Sequence, residues 1–482
     1  MRDRRPPLAA ACRAALLVLL LVVVARALAR DEVAAPRRPS FVLVVLDTVR
    51  WDAMSANGAV EGTTPALDAF AASGIRFTHA YAQAHWTLPS HATLFTGLLP
   101  SQHGVDWRAM KARDDLVLLA EVLREAGYET FGLSENPWVT GRMGMTQGFD
   151  RYAEPRQRTS DAENAIAAWL RERSPDRPFF LFLNLMDAHP PFDVSVGHRF
   201  LPPDATAGEV RTVVRSTARF HFCETPPSER ERAILRAQYL LGVTRADARL
   251  ARVLDLLRAA RGTASEIAIV TSDHGEMLGE HGLFDHQLGL WDELLHVPLV
   301  VSGVPGAPPA VVATPVALAD VFPSVLAWAG LAVPPGLAGR PLPLRDDPAA
   351  AARPIVAEHT DAEGTMGGPA MQATRAACPR SSGLFGDARA LFLWPEKLQS
   401  FADVPGRLYA LDVDPGEQND LAPVRSERVG ELTALLPAPA KTGGSAPGSG
   451  DAALPEEVAE RLRALGYLGG DGAGAPAAAP AR

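Results

Sequence analysis

The chain has 482 residues, of which 47% are hydrophobic, so it can bury a large core in one or two domains. Its 47 basic and 56 acidic residues give a formal net charge of −9, and no run of five like charges occurs. Proteins that bind nucleic acid usually carry a basic stripe, so the charge pattern argues against nucleic acid as a partner.

The first 29 residues match the pattern of a secretory signal peptide. Three arginines lie among the first five residues, an apolar run spans Ala14 to Ala25, and Ala27-Leu28-Ala29 is a small-x-small cleavage site. A retained anchor is the alternative, but a bilayer span needs roughly 20 apolar residues and Arg13 interrupts this run. We therefore expect an exported protein, periplasmic or secreted, with membrane association through the N-terminus as the alternative.

Two cysteines remain after export, Cys223 and Cys378. One disulfide in an oxidising compartment and two separate buried thiols are both compatible with this number. Neither cysteine has the spacing of a zinc site.

Four continuous apolar runs predict buried strands of a parallel sheet, and amphipathic helices are predicted between them. The strand candidates are Phe41–Leu46, Phe179–Met186, Ile267–Val270 and Val297–Val301. The helix candidates are Thr64–Ser73, Leu116–Ala126, Glu163–Arg173 and Ala233–Ala260. Strands that alternate with helices predict a doubly wound, mostly parallel α/β sheet flanked by helices, here over residues 38–345.

A small C-terminal sheet subdomain is predicted over residues 346–436. Its strand candidates are Pro354–Glu358, Ala390–Trp394 and Leu408–Leu411. The composition then predicts a linker, a short helix and a disordered tail. These three segments span residues 437–452, 453–468 and 469–482.

Three of the predicted strands run into residues that commonly bind metals. Asp47 follows the first strand, Asp187-Ala188-His189 the second, and Asp273-His274 the third. Ligands of open α/β sheets bind beyond the carboxyl ends of the strands, so we expect these side chains at one rim. Carboxylates and imidazoles together suit a divalent cation such as Zn²⁺ or Mn²⁺. A single Asp after a strand is also a common turn former.

Thr87 lies just before a predicted helix over Pro89–Thr96, which Gly97 would end. Free N–H groups and the helix dipole favour an anion at that end. A nearby metal would favour ionisation of the hydroxyl and polarise an ester under attack. Thr87 is therefore either a nucleophile or a plain helix N-cap.

The segment Trp86 to Gly97 resembles the sulfatase signature, in which a Cys or Ser, one residue, Pro, Ser and Arg open a helix ending at Thr-Gly. Further resemblances to sulfatases occur at Asp47–Arg50, Thr64–Asp68, Gly74–Tyr81, Gly97–Val105, Thr271–Gly282, Leu408–Tyr409 and Asp414–Leu421. The resemblance covers roughly Pro39 to Leu465. It implies the alkaline phosphatase superfamily fold and a metal-dependent ester hydrolase.

The chain departs from the sulfatase pattern at several site positions. A sulfatase oxidises its Cys or Ser to formylglycine, whereas Thr87 could give only a ketone, so no formylglycine is expected. Thr48 replaces a second Asp, and His91 replaces the Arg of the signature. The Gly-Lys-Trp-His stretch is absent, the matching region being Leu133 to Trp138, and His286 replaces a late Lys.

The resemblance implies a role for each matching residue. The metal ligands would be Asp47, Thr87, Asp273 and His274. Thr87, His189 and His286 would be catalytic, and a second ion could instead be held by Asp187, His189 and His286. Substrate contacts would come from His91, Asn136 and His281, although His281 also fits a metal-binding, proton-donating or structural role. The cofactor would be one or two divalent ions, Zn²⁺, Mn²⁺ or Ca²⁺.

These roles predict a hydrolase that cleaves a phosphate monoester or diester, or a phosphonate ester, through a covalent intermediate on Thr87. The substrate would be a small anionic ester, free or on a glycan or lipid. The alternatives are a phosphotransferase acting on an envelope lipid or glycan, a sulfuric ester hydrolase, and a sulfatase-like binding protein with a dead site.

Overall fold

The computed structural model describes residues 38–59, 62–155, 160–215, 227–260, 265–360, 386–402 and 404–437. The predicted signal peptide, both cysteines, the C-terminal helix and tail, and all but the first residue of the linker lie outside the described residues. Within the described residues, no helix combines the length and apolar character needed to cross a bilayer.

Sixteen strands and eleven α-helices lie in this part of the chain. The strands are β1 (Ser40–Leu46), β2 (Ile75–Phe77), β3 (Ala80–Tyr81), β4 (Glu129–Ser134), β5 (Arg151–Ala153), β6 (Phe179–Leu185), β7 (Glu266–Thr271), β8 (Met277–Leu278), β9 (Phe284–Asp285), β10 (Leu299–Ser302), β11 (Ala310–Val312), β12 (Val316–Ala317), β13 (Ile355–His359), β14 (Ala388–Leu393), β15 (Glu396–Phe401) and β16 (Arg407–Ala410). The helices are α1 (Pro65–Ala72), α2 (Thr87–Thr96), α3 (Pro100–His103), α4 (Leu119–Glu125), α5 (Asp161–Glu172), α6 (Ala207–Arg215), α7 (Glu229–Ala260), α8 (Asp292–Leu295), α9 (Val321–Trp328), α10 (Pro348–Ala351) and α11 (Ser426–Thr433).

An eight-stranded sheet forms the centre, in the order β11-β2-β10-β7-β1-β6-β4-β5. Strand β1 pairs in parallel with β6 on one side and β7 on the other. Its side chains alternate between two apolar cores, with Leu43 on one face of the sheet and Val42 and Val44 on the other. Because both faces are covered, the strand reads as a continuous apolar run.

The predicted fold class is confirmed, with one correction to strand direction. The run Val297–Val301 was predicted as a parallel strand, but β10 is antiparallel to both of its neighbours, β7 and β2. An apolar run buried on both faces carries no information about strand direction, which depends on how the connection returns to the sheet.

The C-terminal sheet is antiparallel, in the order β13-β14-β15-β16. Its third strand, β15, was missed from the sequence because it is mostly polar, with Leu398 and Phe401 as its two apolar residues. Lys397 and Gln399 on β15 are nevertheless buried, and both donate hydrogen bonds to Glu417. This polar contact joins β15 to the segment that follows β16.

Candidate active site

The carboxyl ends of β1 and β7 bring three metal-type ligands together. Asp47 follows β1, and Asp273 and His274 follow β7 by two and three residues. One ligand atom from each lies within 4.8 Å of the others. The parallel pairing of β1 with β7 produces this cluster, because both strands end at the same rim.

The donor set of Asp47, Asp273 and His274 fits a divalent cation. Both carboxyl groups are fully buried, and Asp47 Oδ1 and Asp273 Oδ2 have no hydrogen-bond partner. Burial raises the pKa of Asp47, and burial with the nearby charge of Asp47 raises the pKa of Asp273 further. Buried carboxylates are normally paired with a cation. A bound ion would therefore offset both the cost of burying these two groups and the repulsion between their charges.

Thr87 is the first residue of α2, and its hydroxyl faces this cluster. Trp86, with extended backbone, is the N-cap of the helix, so the reading of Thr87 as the N-cap is wrong. Thr87 Oγ1 lies 3.3 Å from His274 Nε2 and accepts a hydrogen bond of 3.1 Å from Asn136 Nδ2. The hydroxyl is thus aligned with the ligand group and with the positive end of a ten-residue helix.

Asn136 connects Thr87 to Asp47. Its Nδ2 donates to Asp47 Oδ2 at 2.8 Å as well as to Thr87. Its Oδ1 accepts from the backbone N–H of Trp138 at 2.9 Å, which fixes the orientation of the amide. The predicted substrate contact of Asn136 stays a prediction, and in the structure its amide contacts Thr87 and Asp47.

His274 has a defined tautomer. Its Nδ1 lies 2.9 Å from the carbonyl oxygen of Gly275, which can only accept, so Nδ1 carries the proton. Burial, with the nearby His286, places the pKa of His274 well below its ordinary value. The ring is therefore neutral, and its Nε2 presents a lone pair towards Thr87.

His91 does not supply the positive charge of the Arg that it replaces. It is fully buried against Phe95 and Phe182, and burial lowers its pKa to about 4. Its Nδ1 donates to the carbonyl oxygen of Thr87 at 2.9 Å, one turn back along α2. The predicted substrate contact of His91 stays a prediction. In the structure the ring is neutral and its Nδ1 contacts the backbone of α2.

His286 is the positively charged histidine of the site. Its Nδ1 lies 3.0 Å from both Glu276 Oε2 and Asp285 Oδ1. Burial lowers the pKa of His286, but the two carboxylates outweigh burial and raise it to about 9. Its ring lies 4.9 Å from that of His189, between ring centres. His286 therefore places a positive charge beside the ligand group.

Asp187 does not join the two histidines that the sequence grouped with it. Its carboxylate pairs with Arg249 Nη1 at 2.9 Å, and the same nitrogen donates to Glu135 at 3.0 Å. The second group with metal-ligand spacing among the described residues consists instead of Glu276, Asp285 and His286. The position of Asp187 at the end of a strand could not reveal that it forms an ion pair with Arg249 on α7.

His281 lies in a structural setting. Its ring stacks on Trp291 with 3.8 Å between ring centres and an angle of 5°. Its Nε2 lies 3.7 Å from a carboxylate oxygen of Glu293. These contacts support the structural reading of His281 among the roles that the sequence left open.

Several residues of the site were missed from the sequence. Asn184, at the end of β6, donates to Asp47 Oδ2 at 3.0 Å. It was detectable as the one polar residue in an otherwise apolar strand. His85 and His359 carried no such signal, because they lie 274 residues apart in the chain. Glu276 contacts His286, ten residues further along the chain.

The sulfatase family model matches residues 39–331, more than half of the 482-residue chain. The chain belongs to the sulfatase family. It is thus a sulfatase-like protein of the alkaline phosphatase superfamily, as the resemblance of its motifs implied.

Curated relatives of this sulfatase-family chain are distant. It is 26% identical to arylsulfatase K of Mus musculus over 348 residues, covering 62% of this chain and 62% of that protein. It is 24% identical to the uncharacterized sulfatase YidJ of Escherichia coli over 350 residues, covering 63% and 70%. The chain therefore spans less than two thirds of the length of mouse arylsulfatase K.

Solved structures share the fold of this sulfatase-family chain. BT4656, in complex with its substrate D-glucosamine-2-N,6-O-disulfate, has a TM-score of 0.66 at 19% identity, covering 84% of this chain and 100% of that chain. The phosphonate monoester hydrolase of Agrobacterium radiobacter has a TM-score of 0.61 at 22% identity, covering 83% and 95%. At these identities the likeness establishes the fold alone.

Proposed function

We propose that this protein is an exported, metal-dependent hydrolase that cleaves phosphate or phosphonate esters with Thr87 as its nucleophile. The position of Thr87 Oγ1, 3.3 Å from His274 Nε2 and 3.1 Å from Asn136 Nδ2, carries the proposal. A hydroxyl buried beside a set of metal ligands, at the start of a helix, has the surroundings that activate a nucleophile.

The cation would be held by Asp47, Asp273 and His274, with Thr87 beside them. When bound, it would lower the pKa of the Thr87 hydroxyl and polarise the ester under attack. Asn136 orients the hydroxyl through its amide, and the start of α2 favours negative charge at that position. Metal analysis of the purified protein would identify the ion as Zn²⁺, Mn²⁺ or Ca²⁺.

The anionic ester would be held by positive charge beside the ligand group, where the ring of His286 lies 4.5 Å from that of His274, between ring centres. His286 is cationic at neutral pH because Glu276 and Asp285 face its Nδ1. His189, whose ring is adjacent to that of His286, would also face the substrate. Either histidine can supply a proton to the departing alcohol.

The proposed reaction has two displacements at phosphorus. Thr87 Oγ forms a bond to phosphorus, the ester P–O bond breaks, and the departing oxygen takes up a proton. Water then attacks the phosphorus of the Thr87 adduct, the Thr87 Oγ–P bond breaks, and the hydroxyl is restored. No oxidation of the nucleophile is required, in contrast with formylglycine chemistry.

Expected activities can be separated with p-nitrophenyl phosphate, bis-p-nitrophenyl phosphate, a p-nitrophenyl phosphonate and p-nitrophenyl sulfate. We expect phosphoryl esters to be cleaved in preference to the sulfate ester. Preference for sulfate would overturn this ranking. The panel is needed because the similar folds include both sulfatases and phosphonate monoester hydrolases.

The nucleophile is tested by Thr87→Ala, with Thr87→Ser as the matched control. Thr87→Ala should abolish turnover while metal content stays near the wild-type value, because Asp47, Asp273 and His274 remain. Thr87→Ser, shown by intact mass to carry unmodified serine, should retain turnover. Full activity in Thr87→Ala would sink the proposal, as would the lack of a phosphoryl adduct on Thr87 in a quenched reaction.

Export is the remaining part of the proposal. The pattern of residues 1–29 supports it. N-terminal sequencing of the protein from the periplasm or medium should begin close to residue 30. A retained N-terminus in the membrane fraction would favour the anchor instead.

A further inference from the structure

The last two residues of β13 contact the chain on both sides of the nucleophile helix α2. Glu358 N–H donates to the carbonyl oxygen of Gln83 at 2.9 Å, before the helix. The Glu358 carboxylate accepts from Ser101 N at 2.7 Å and from Ser101 Oγ at 2.9 Å, after the helix. The C-terminal subdomain thus holds the helix through one dipeptide.

His359 makes the contact nearest to the nucleophile. Its Nδ1 lies 2.6 Å from His85 Nε2, and both rings are buried. His85 precedes Thr87 by two residues and forms part of the segment that leads into α2. The two histidines are 274 residues apart in sequence. Position in the sequence alone therefore gave no sign of this pair.

The carbonyl oxygen of His286 sets the direction of the hydrogen bonds. It lies 2.7 Å from His85 Nδ1 and can only accept, so Nδ1 of His85 carries the proton. A neutral His85 then has a lone pair at Nε2, and His359 Nδ1 must be the donor to it. The result is a directed series of hydrogen bonds from His359 through His85 to the backbone of His286.

We infer that Glu358 and His359 of the C-terminal subdomain are positioning residues for Thr87 and His286. This inference rests on the proposed function, in which Thr87 is the nucleophile. His85 joins the segment before Thr87 to the backbone of His286, and His359 fixes the ring of His85. A displacement of about 1 Å between reacting groups can reduce a rate about 100-fold, so this contact has consequences for turnover.

Variants at His359 separate a hydrogen-bond donor from a space-filling side chain. The amide nitrogen of His359→Asn can occupy the place of Nδ1 and still donate to His85, whereas His359→Ala cannot. We expect His359→Ala to lower kcat at least about 10-fold with KM unchanged within about twofold, and His359→Asn to restore most of kcat. His79→Ala is the matched control, because the ring of His79 contacts Trp394, His296 and the carbonyl oxygen of Ala313 rather than His85.

Three outcomes would overturn the inference. One is a wild-type kcat in His359→Ala, and another is an equal loss of kcat in His359→Ala and His359→Asn. The third is a change confined to KM, which would make His359 a substrate contact.

A measurement without substrate keeps this test apart from that of the proposed function. In the full-length protein labelled with ¹⁵N-histidine, His85 should be the Nδ1–H tautomer and show a scalar coupling across the hydrogen bond from His359 Nδ1. His359→Ala should remove the coupling. A His85 Nε2–H tautomer in the wild type would overturn the inference, even if the proposed hydrolysis is observed. If wild type cleaves no ester, the proposed function fails while the tautomer still tests the contact.

Discussion

Histidines in one site take different charges because their neighbours differ. His91 and His274 are neutral, since burial dominates and no carboxylate pairs with them strongly enough to reverse it. His286 is cationic, since Glu276 and Asp285 both face its Nδ1. Replacement of the Lys and Arg of a sulfatase by histidine therefore keeps a positive charge at one position and removes it at the other.

His103 gives a prediction about pH and stability. Its Nδ1 accepts from Val105 N–H at 3.0 Å, and its Nε2 contacts Thr93 Oγ1 at 3.1 Å. Burial lowers its pKa from 6.5 to about 3. Below pH 6.5 the unfolded chain binds a proton that the folded chain does not, so the free energy of unfolding falls as pH falls.

The variant His103→Gln should remove this pH dependence. Between pH 6 and pH 4 the free energy of unfolding should fall more steeply in the wild type than in His103→Gln. The difference in slope should be up to about 1.4 kcal/mol per pH unit. Urea unfolding of both proteins at pH 7, 6, 5 and 4 measures the difference. If the free energy of unfolding changed with pH in the same way in both proteins, His103 would not be neutral in the folded state.

At the residue scale, the sequence predicted that Asp47, Asp273 and His274 lie together, but it did not predict the contacts around them. Asp47, Asp273 and His274 were predictable, because strand ends in a parallel sheet converge on one rim. The neutral charge of His91 and the pairing of Asp187 were not, because each depends on a side chain distant in sequence. Arg249, the partner of Asp187, lies 62 residues further along the chain.

At the scale of elements, Arg249 on α7 ties two strand ends together. It pairs with Asp187, which follows β6, and with Glu135, which follows β4 and directly precedes Asn136. Its side chain is only 5% exposed. A single buried cation thus fixes the ends of two strands that lead to His189 and Asn136.

Replacement of Arg249 by Met should therefore destabilise the protein strongly. Glu135 and Asp187 would remain buried without their cation, which typically costs about 3–5 kcal/mol. Arg252→Met is the matched control on the same helix, because Arg252 is 58% exposed and pairs with Glu163. Arg252→Met should lower the free energy of unfolding by less than about 1 kcal/mol. Urea unfolding at pH 7 compares the two, and equal losses would contradict the role given to Arg249.

The elements themselves were predictable where burial was uniform. Strand β1, buried at every position, had a clear apolar run, and the long amphipathic pattern of α7 was also recognised. Strand β4 was missed because Glu129 and Thr130 open it and Gly132 interrupts it. Gly132 is required there because a Cβ would collide with the ring of Tyr152, a contact that local sequence does not reveal.

For the whole molecule, a cation bound by Asp47, Asp273 and His274 would couple folding to metal binding. Asp47 and Asp273 are buried side by side, and each carboxylate has one oxygen without a hydrogen-bond partner. A cation bound only by the folded protein stabilises it, by about 2.7 kcal/mol at a free concentration 100 times Kd.

Removal of the metal should lower Tm, and readdition should restore it. The double variant Asp47→Asn, Asp273→Asn should lose the response to metal. Its Tm should exceed that of the metal-free wild type, because the like charges are gone. Differential scanning fluorimetry with and without a chelator measures both effects. An unchanged wild-type Tm in chelator would contradict metal binding at these carboxylates.

The contact between His85 and His359 also bears on the order of events during synthesis. The ribosome produces the segment leading into α2 long before β13, whose last residue completes the contact 274 positions later. Until that strand has emerged and docked, the segment before Thr87 lacks the partner that fixes it. We therefore expect nascent chains that end before residue 355 to be inactive. For an exported protein, this delay would protect phosphate esters inside the cell from the emerging chain.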